Sequence, residues 1–82
     1  MKRAVFSNQS LRQIKKLPET TKGKLEKQLG YLLKNISHPS LRAKKFDEIQ
    51  DIWQARVDDY YRFYFQIRKD VYKILTVIKH PK

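Results

Sequence analysis

The segment 52–67 constrains the fold more than any other, because apolar and polar residues alternate on both sides of a short acidic break. Its apolar positions are Trp53, Ala55, Val57, Tyr61, Phe63, Phe65 and Ile67. Since the side chains of a β-strand change face at every residue, both apolar sets reach one core only if Val57 lies opposite Tyr61. The pattern therefore predicts a β-hairpin whose loop is Asp58-Asp59-Tyr60.

The same register predicts that Arg56 lies opposite Arg62 on the outer face of the hairpin. A slip of one residue would bury an arginine and expose the aromatic set, so the core fixes this arrangement. Like charges directly opposite each other destabilise a sheet, whereas guanidinium groups bind phosphate oxygens well. We therefore predict an anion site between the two arginines. The alternative is a solvated pair with Asp58 or Asp59 as its counter-charge.

Length and composition favour one small domain, residues 1–82, without disulfides. Hydrophobic residues make up 40% of the chain, which suffices for one core. The chain contains no cysteine, which excludes disulfides and thiolate metal sites. Two histidines alone do not build a metal site. We expect neither a metal nor a cofactor.

The net charge of +11 predicts a polyanionic partner. Nucleic acid is the first candidate, an acidic protein the second, and an anionic membrane surface a distant third. We expect no membrane partner. No stretch approaches the roughly 18 apolar residues that span a bilayer, and binding to a membrane surface needs a basic helix with exposed apolar groups, whereas the apolar stripe of the one long helix is needed for the core. Residues 1–8 lack the apolar run of a signal peptide, so a cytoplasmic protein is expected.

The rest of the chain predicts two helices and two further strands. A strand over 2–6 precedes a helix that starts at Ser7 or Asn8 and ends at Pro18. A longer helix then runs to about Asn35, with an apolar stripe made by Leu25, Leu29, Leu32, Leu33 and Ile36. Residues 41–50 form a connection, and the last strand covers 71 to about 79. The order β-α-α-β-β-β predicts an α+β fold, an antiparallel sheet packed on two antiparallel helices.

The last strand leaves two assignments of its faces open. With a three-residue turn at 68–70, the residues that point inward are Val71, Leu75 and Val77. The arginine face then carries Tyr72, Thr76 and His80. A two-residue turn reverses the faces. Lys73 in the core counts against the first assignment, and buried Tyr72 and Thr76 count less strongly against the second.

Several other side chains are candidate contacts for nucleic acid. An imidazole gives or takes a proton near neutral pH, which makes His80 a candidate acid or base. Lys44 and Lys45 precede the hairpin and suit contacts with backbone phosphates. Tyr64 shares the outer face with the arginines and is the best candidate for stacking on a base.

Short motifs follow one another along nearly the whole chain. They are Lys16-Leu17-Pro18, His38-Pro39-Ser40-Leu41-Arg42, Lys44-Lys45-Phe46, Asp51-Ile52-Trp53-Gln54-Ala55-Arg56-Val57 and Tyr61-Arg62-Phe63-Tyr64-Phe65. Their order and spacing resemble the RelE/ParE superfamily of bacterial toxins, and the presence of Arg56, Arg62 and His80 favours its RelE/YoeB-like branch. The resemblance implies the RelE-like microbial RNase toxin fold and the role of toxin in a type II toxin–antitoxin system.

The resemblance further implies a metal-independent endoribonuclease, an mRNA interferase that cuts message in the ribosomal A site and inhibits translation. The ribose 2′-hydroxyl is the nucleophile in such toxins, so the protein must stabilise the phosphorane and protonate the leaving 5′-oxygen. By resemblance, Arg62 contacts the scissile phosphate, Arg56 holds a second basic position and His80 is the general acid. The residues assigned to RNA binding are Lys44, Lys45, Gln54, Tyr64 and Lys79.

The chain departs from the family pattern at several positions. RelE has a lysine where this chain has Gln54, and the glutamate base of YoeB-like toxins aligns with Ala43 or Lys44, so no general base is assigned. Many members carry an aromatic residue near the end, where only Pro81 and Lys82 follow here. These departures keep two rivals open: a ParE-like toxin that inhibits DNA gyrase, and a toxin-like domain with weak or lost activity. In each case we expect a cognate acidic antitoxin, with oligomers formed through it.

Overall fold

The computed structural model describes residues 2–80, within which a five-stranded sheet packs against two helices. The elements are β1 (Arg3–Phe6), α1 (Asn8–Lys15), α2 (Glu19–Lys34), β2 (Lys44–Asp47), β3 (Ile52–Arg56), β4 (Tyr61–Arg68) and β5 (Val71–Lys79). A short 3₁₀ turn, Pro39–Leu41, leads from α2 towards β2. Neither helix in this range is long and apolar enough to cross a membrane.

The strands lie in the order β1-β5-β4-β3-β2. The predicted α+β fold is confirmed, with two corrections of detail. The sheet is mixed rather than antiparallel, because β1 runs parallel to β5. The segment 44–47, expected to be part of a connection, is a short edge strand. Its charged residues hide the alternation typical of a strand, and charges are common at sheet edges because they discourage further pairing.

The hairpin formed by β3 and β4 has the predicted register. Ala55 pairs with Phe63 and Arg56 with Arg62, and the N–H of Val57 donates to the carbonyl of Tyr61 at 3.0 Å. Because Ala55 and Phe63 are buried in the core, the two arginines lie on the opposite, outer face of the sheet.

The core lies between α2 and the inner face of the sheet. Phe63 and Phe65 of β4 are completely buried, and they share one apolar cluster with Leu25 and Leu32 of α2. The apolar stripe predicted for the longer helix is thus confirmed. Full burial of one such side chain contributes about 1.5–3 kcal/mol. A shift of β4 by one residue would forfeit this contribution at several positions, so the core holds the register of the hairpin.

A β-bulge interrupts the pairing of β5 with β4. The register shifts between Tyr64 and Phe65, which leaves Leu75 as the extra residue on β5. A bulge moves the alternation of side chains by one position. Accordingly, Ile74 before the bulge and Val77 after it are both buried, although they are three positions apart.

Each of the two face assignments for the last strand is therefore right for one half of it: the assignment with a two-residue turn before the bulge, and the assignment with a three-residue turn after it. The turn before β5 has two residues, because Arg68 pairs with Val71, and Tyr72 is buried as that turn predicts. Beyond the bulge the faces are those of the other assignment. Val77 points inward, and His80 lies on the same side of the sheet as the arginines.

Helix α1 holds the bulge through side-chain hydrogen bonds. Ser7, the N-cap of this helix, donates its hydroxyl to the carbonyl of Leu75 at 2.8 Å. Gln13 Oε1 accepts from Thr76 Oγ1 at 2.9 Å and from the N–H of Val77 at 2.7 Å. The backbone groups that a bulge removes from the sheet ladder thus find partners on α1, and the end of β5 is fixed relative to the hairpin.

Replacing Gln13 should therefore destabilise the fold. We expect Gln13→Ala to lower the free energy of unfolding by about 1–3 kcal/mol, because two half-buried donors lose their acceptor. Urea denaturation measures this change. Gln9→Ala is the matched control, since Gln9 lies exposed on the same helix. Equal losses for the two variants would contradict the role assigned to Gln13.

Candidate functional site

A concave cleft lies on the outer face of the sheet, between the hairpin, the end of β5 and the segment that enters β2. Its volume is about 230 Å³. The residues that line it are Arg42, Lys44, Gln54, Ala55, Arg56, Arg62 and His80. Within the described part of the chain, this lining contains basic and neutral side chains and no carboxylate. The cleft is therefore a candidate site for a phosphate or another anion.

The two paired arginines are held by different partners in the hairpin. Arg62 donates from Nη1 to the carbonyls of Asp58 at 2.8 Å and Tyr61 at 3.1 Å. Arg56 forms an ion pair through Nη2 with the carboxylate of Asp59. The predicted position of the two arginines opposite each other is confirmed. The alternative prediction, in which Asp58 or Asp59 is a counter-charge, also holds in part, because Asp59 pairs with Arg56.

The ion pair between Arg56 and Asp59 leaves the cleft accessible. The side chain of Asp59 is 69% exposed, whereas that of Arg56 is 25% exposed. Exposed ion pairs contribute about 0–1 kcal/mol, because water screens them and both side chains lose freedom. A phosphate that contacts both guanidinium groups can therefore displace Asp59 at small cost.

Asp58 fixes the loop that carries these partners. Its Oδ1 accepts from the N–H groups of Tyr60 at 2.8 Å and Tyr61 at 2.9 Å, and its Oδ2 lies 3.6 Å from Lys24 Nζ. Burial raises the pKa of the Asp58 carboxyl, but the backbone hydrogen bonds and Lys24 outweigh burial and bring it below its ordinary value. The Asp58 carboxylate therefore has a structural role, because its contacts with the loop backbone and with Lys24 of α2 hold the loop in place.

Gln28 on α2 supports the cleft from behind. It is buried, and its Nε2 donates to the carbonyls of Ser40 at 3.0 Å and Arg56 at 2.9 Å. Its Oε1 accepts from Ser40 Oγ at 3.1 Å. One amide thus ties the end of β3 to the 3₁₀ turn, and so fixes the backbone on two sides of the cleft.

Arg42 follows that turn and adds a fourth basic side chain beside Lys44, Arg56 and Arg62. Its backbone is in the left-handed region, with φ of 47°, which non-glycine residues rarely adopt. The sequence places Arg42 in a basic run but gives no sign of this backbone geometry. Its position in the cleft was therefore missed, although charge alone marked the run.

His80 reaches the cleft at the end of β5. Its N–H donates to the carbonyl of Tyr60 at 2.6 Å, which extends the sheet ladder past Lys79. The side chain is exposed and lines the same cleft as Arg56 and Arg62. Among the described residues that line the cleft, it is the only imidazole.

Three more of the predicted contacts lie on this face. Lys44 and Gln54 are cross-strand partners and both line the cleft. Gln54 Nε2 donates to the hydroxyl of Tyr64 at 2.9 Å, so Tyr64 borders the cleft on the side away from the hairpin loop.

Lys45 and Lys79 lie on the opposite face of the sheet. Lys45 pairs with Trp53, and its ammonium group lies 5.0 Å from the centre of the Trp53 ring. A hydrogen bond from Lys45 to Asp51 raises the pKa of Lys45 and lowers the pKa of Asp51. Lys79 pairs with Tyr61 on that same side. The structure therefore does not bring these two lysines together with the arginines.

The described residues offer no cluster of three or more His, Cys, Asp or Glu side chains that could hold a metal ion. The cleft itself supplies nitrogen donors with positive charge, which suit an anion.

No family model matches the sequence, and no curated protein shows significant similarity to it. Solved structures do match. The isolated E. coli RelE toxin superposes with a TM-score of 0.79 at 21% identity, over 100% of this chain and 87% of that one. A chain of the YoeB–YefM complex from Staphylococcus aureus gives 0.80 at 15% identity, over 99% of both chains. The YoeB/ParE toxin from Agrobacterium tumefaciens gives 0.79 at 11% identity, over 99% and 100%.

The chain has the fold of the RelE-like toxins. The resemblance that the motifs predicted is thereby confirmed for the architecture, over essentially the whole chain. In this RelE-like fold, residues from the hairpin, from the end of β5 and from the segment that enters β2 converge on one basic cleft.

The acidic hairpin loop generates a pH-dependent prediction. We expect Asp58→Ala to lower the free energy of unfolding by about 1–3 kcal/mol at neutral pH, because two N–H groups and Lys24 lose their acceptor. The folded-state pKa of Asp58 is depressed, so its stabilisation is present above the ordinary carboxyl pKa of about 4. It is lost as the pH falls through the lower folded-state value.

Thermal unfolding of Asp58→Ala and wild type from pH 7 down to about pH 2 tests this expectation, and the difference should shrink below about pH 4. Asp59→Ala is the control, since Asp59 is exposed in the same loop. A difference that stays constant to the lowest pH would contradict the assignment.

Proposed function

We propose that this chain is the toxin of a type II toxin–antitoxin pair and that it cleaves messenger RNA on the ribosome. The observation that carries the proposal is the convergence of Arg56, Arg62 and His80 in one concave, basic cleft. The RelE-like fold supports it, because the same architecture occurs in the RelE toxin of E. coli. The proposed setting is the cytoplasm, where ribosomes and message meet.

The proposed reaction is an attack of a ribose 2′-hydroxyl on the adjacent phosphorus. The bond between O2′ and phosphorus forms while the bond between phosphorus and O5′ breaks, which leaves a cyclic 2′,3′-phosphate and a free 5′-hydroxyl. The 2′-hydroxyl loses its proton to water, since no side chain of the chain is assigned as its base, and the leaving 5′-oxygen gains one. This chemistry calls for charge stabilisation and proton transfer at fixed positions, without a metal ion in any step.

The residues of the cleft suit these tasks. Arg56 and Arg62 face the same space from adjacent strands and can bind two oxygens of one phosphate, whose negative charge grows in the phosphorane. His80 lines the same cleft and is the proposed donor to the 5′-oxygen. Arg42 and Lys44 extend the positive surface and suit the neighbouring phosphates of the chain.

The proposed partner is an acidic antitoxin protein. A field from a net charge of +11 binds RNA without discrimination unless an anionic segment covers it. The matching S. aureus structure is a complex of YoeB with YefM, which supports a protein partner for a domain of this fold.

Inhibition of DNA gyrase without RNA cleavage is the second candidate. It is favoured by the similarity to the A. tumefaciens protein described as a YoeB/ParE toxin. Induction of the chain in cells, followed by primer extension on ribosome-bound message and by measurement of DNA breaks, separates the two candidates. New message ends support the nuclease, and DNA breaks without them support the gyrase inhibitor.

Arg62→Ala should reduce single-turnover cleavage of ribosome-bound message about 100- to 1000-fold, because one donor to the phosphorane is lost. Arg12→Ala is the control: it removes the same charge from an exposed position on α1 and should cleave as the wild type does. Arg62→Lys keeps the charge but not the planar fork, and should recover a small part of the rate. Circular dichroism verifies the fold of each variant. Full activity of Arg62→Ala would refute this assignment.

His80→Ala should slow cleavage about 100- to 10,000-fold if His80 protonates the leaving oxygen. The sharper test replaces the bridging 5′-oxygen of the message by sulfur, because a thiolate leaves without a proton. On this substrate His80→Ala should approach the wild-type rate, whereas Arg62→Ala should stay slow. An equal defect of His80→Ala on both substrates would exclude His80 as the acid.

A further inference from the structure

A second depression, which we call the groove, lies on the same sheet face as the cleft and is apolar. Its volume is about 370 Å³, and its walls are formed mainly by Phe46, Ile52, Tyr64, Leu75 and Ile78. None of the described residues that line it is charged. Phe46 is 61% exposed and Ile78 is 42% exposed, so large apolar groups face solvent on a strongly basic chain. An exposed apolar depression of this kind indicates a binding surface.

Phe46 reaches the groove because β2 is bulged at this position. The pairing of β2 with β3 shifts between Lys45 and Asp47, which makes Phe46 the extra residue. Bulges re-aim a side chain, and the ring of Phe46 meets the ring of Tyr64 at a centroid distance of 4.9 Å and an angle of 70°. The two rings therefore meet edge to face at a steep angle, an arrangement that we call the aromatic corner.

The groove adjoins the cleft without a break. Gln54 in the cleft donates to the hydroxyl of Tyr64 in the groove at 2.9 Å, and Arg62 of the cleft pairs with Ile78 of the groove. Arg62 and Tyr64 are two residues apart on β4, a distance of about 6.6 Å along a strand. If the arginines hold the anionic group of a ligand, the neighbouring group of that ligand can therefore contact the aromatic corner.

This combination fits a ligand that joins an anionic group to a flat apolar one, as a nucleotide does. Single-stranded RNA is commonly bound by stacking of unpaired bases on aromatic side chains beside contacts to the backbone. We propose that the groove is a nucleobase subsite, in which Phe46 and Tyr64 stack a base next to the phosphate held by Arg56 and Arg62. The inference rests on the proposed RNA cleavage and adds the side chains that sense the base at the cut.

Binding of an RNA that cannot be cleaved tests the subsite directly. The probe is a dinucleoside monophosphate with 2′-O-methyl groups, and its partner probe lacks both bases. Phe46→Ala should weaken binding of the first probe about 5- to 100-fold and leave binding of the second unchanged. Arg62→Ala should weaken both. Ile49→Ala is the matched control, since Ile49 is 97% exposed outside the groove, and it should change neither.

Two further variants distinguish stacking from general apolar contact. Phe46→Trp keeps a flat ring and should bind the base-containing probe at least as well as the wild type, whereas Phe46→Leu should bind as weakly as Phe46→Ala. Wild-type affinity of Phe46→Leu would overturn the proposal. Unchanged RNA binding by Phe46→Ala together with weakened binding of an acidic partner protein would also overturn it, because the groove would then be a protein-binding surface.

These measurements are independent of catalysis, because the probes cannot react. Failure of the proposed cleavage would instead appear as missing message ends in primer extension with the wild-type chain. The two failures are therefore distinguishable, and loss of base-dependent binding in Phe46→Ala supports the subsite whatever the rate of cleavage.

Discussion

Burial of the aromatic residues of β4 is the constraint on which the site depends. Phe63 and Phe65 are completely buried, and each contributes about 1.5–3 kcal/mol when it leaves water. Repulsion between two opposed like charges on a sheet costs about 0.2–1 kcal/mol. Packing of the apolar face therefore determines the register of the hairpin, and this register places Arg56 opposite Arg62 despite their repulsion. The position of both guanidinium groups on the outer face thus follows from packing on the inner one.

This part of the molecule could be predicted from the sequence because the alternation of the hairpin is local and both of its faces are distinct. The fold class followed from the same pattern and from the leucine stripe of α2. The end of β5 could not be predicted in this way. Its faces depend on the bulge at Leu75, whose backbone finds partners on Ser7 and Gln13, more than 60 positions away. The parallel pairing of β1 with β5 likewise joins distant segments and leaves no local signal.

The centre of the candidate cleft could be predicted from the sequence, whereas its margins could not. Charge and register indicated the arginine pair, and charge alone indicated Lys44. Arg42 enters the cleft through a left-handed backbone conformation, and Phe46 turns outward through a bulge in an edge strand. Both depend on how β2 meets the rest of the sheet. Lys45 was predicted to join the arginines but does not. Its pairing with Trp53 places its side chain on the inner face of the sheet, where it contacts Trp53 and Asp51.

The contact between Arg56 and Asp59 gives the cleft an anionic group of its own, supplied by the hairpin loop. A single small anion that enters the cleft replaces Asp59 at small cost, because the ion pair is mostly exposed. A polymer with evenly spaced charges also engages Arg42 and Lys44, which Asp59 does not contact, and its gain grows with each added contact. For the proposed RNA ligand, these added contacts favour a long anionic chain over free phosphate, and Asp59 changes the balance only slightly because its ion pair is mostly exposed. Asp59 also lessens the mutual repulsion of Arg56 and Arg62, which lie opposite each other on adjacent strands.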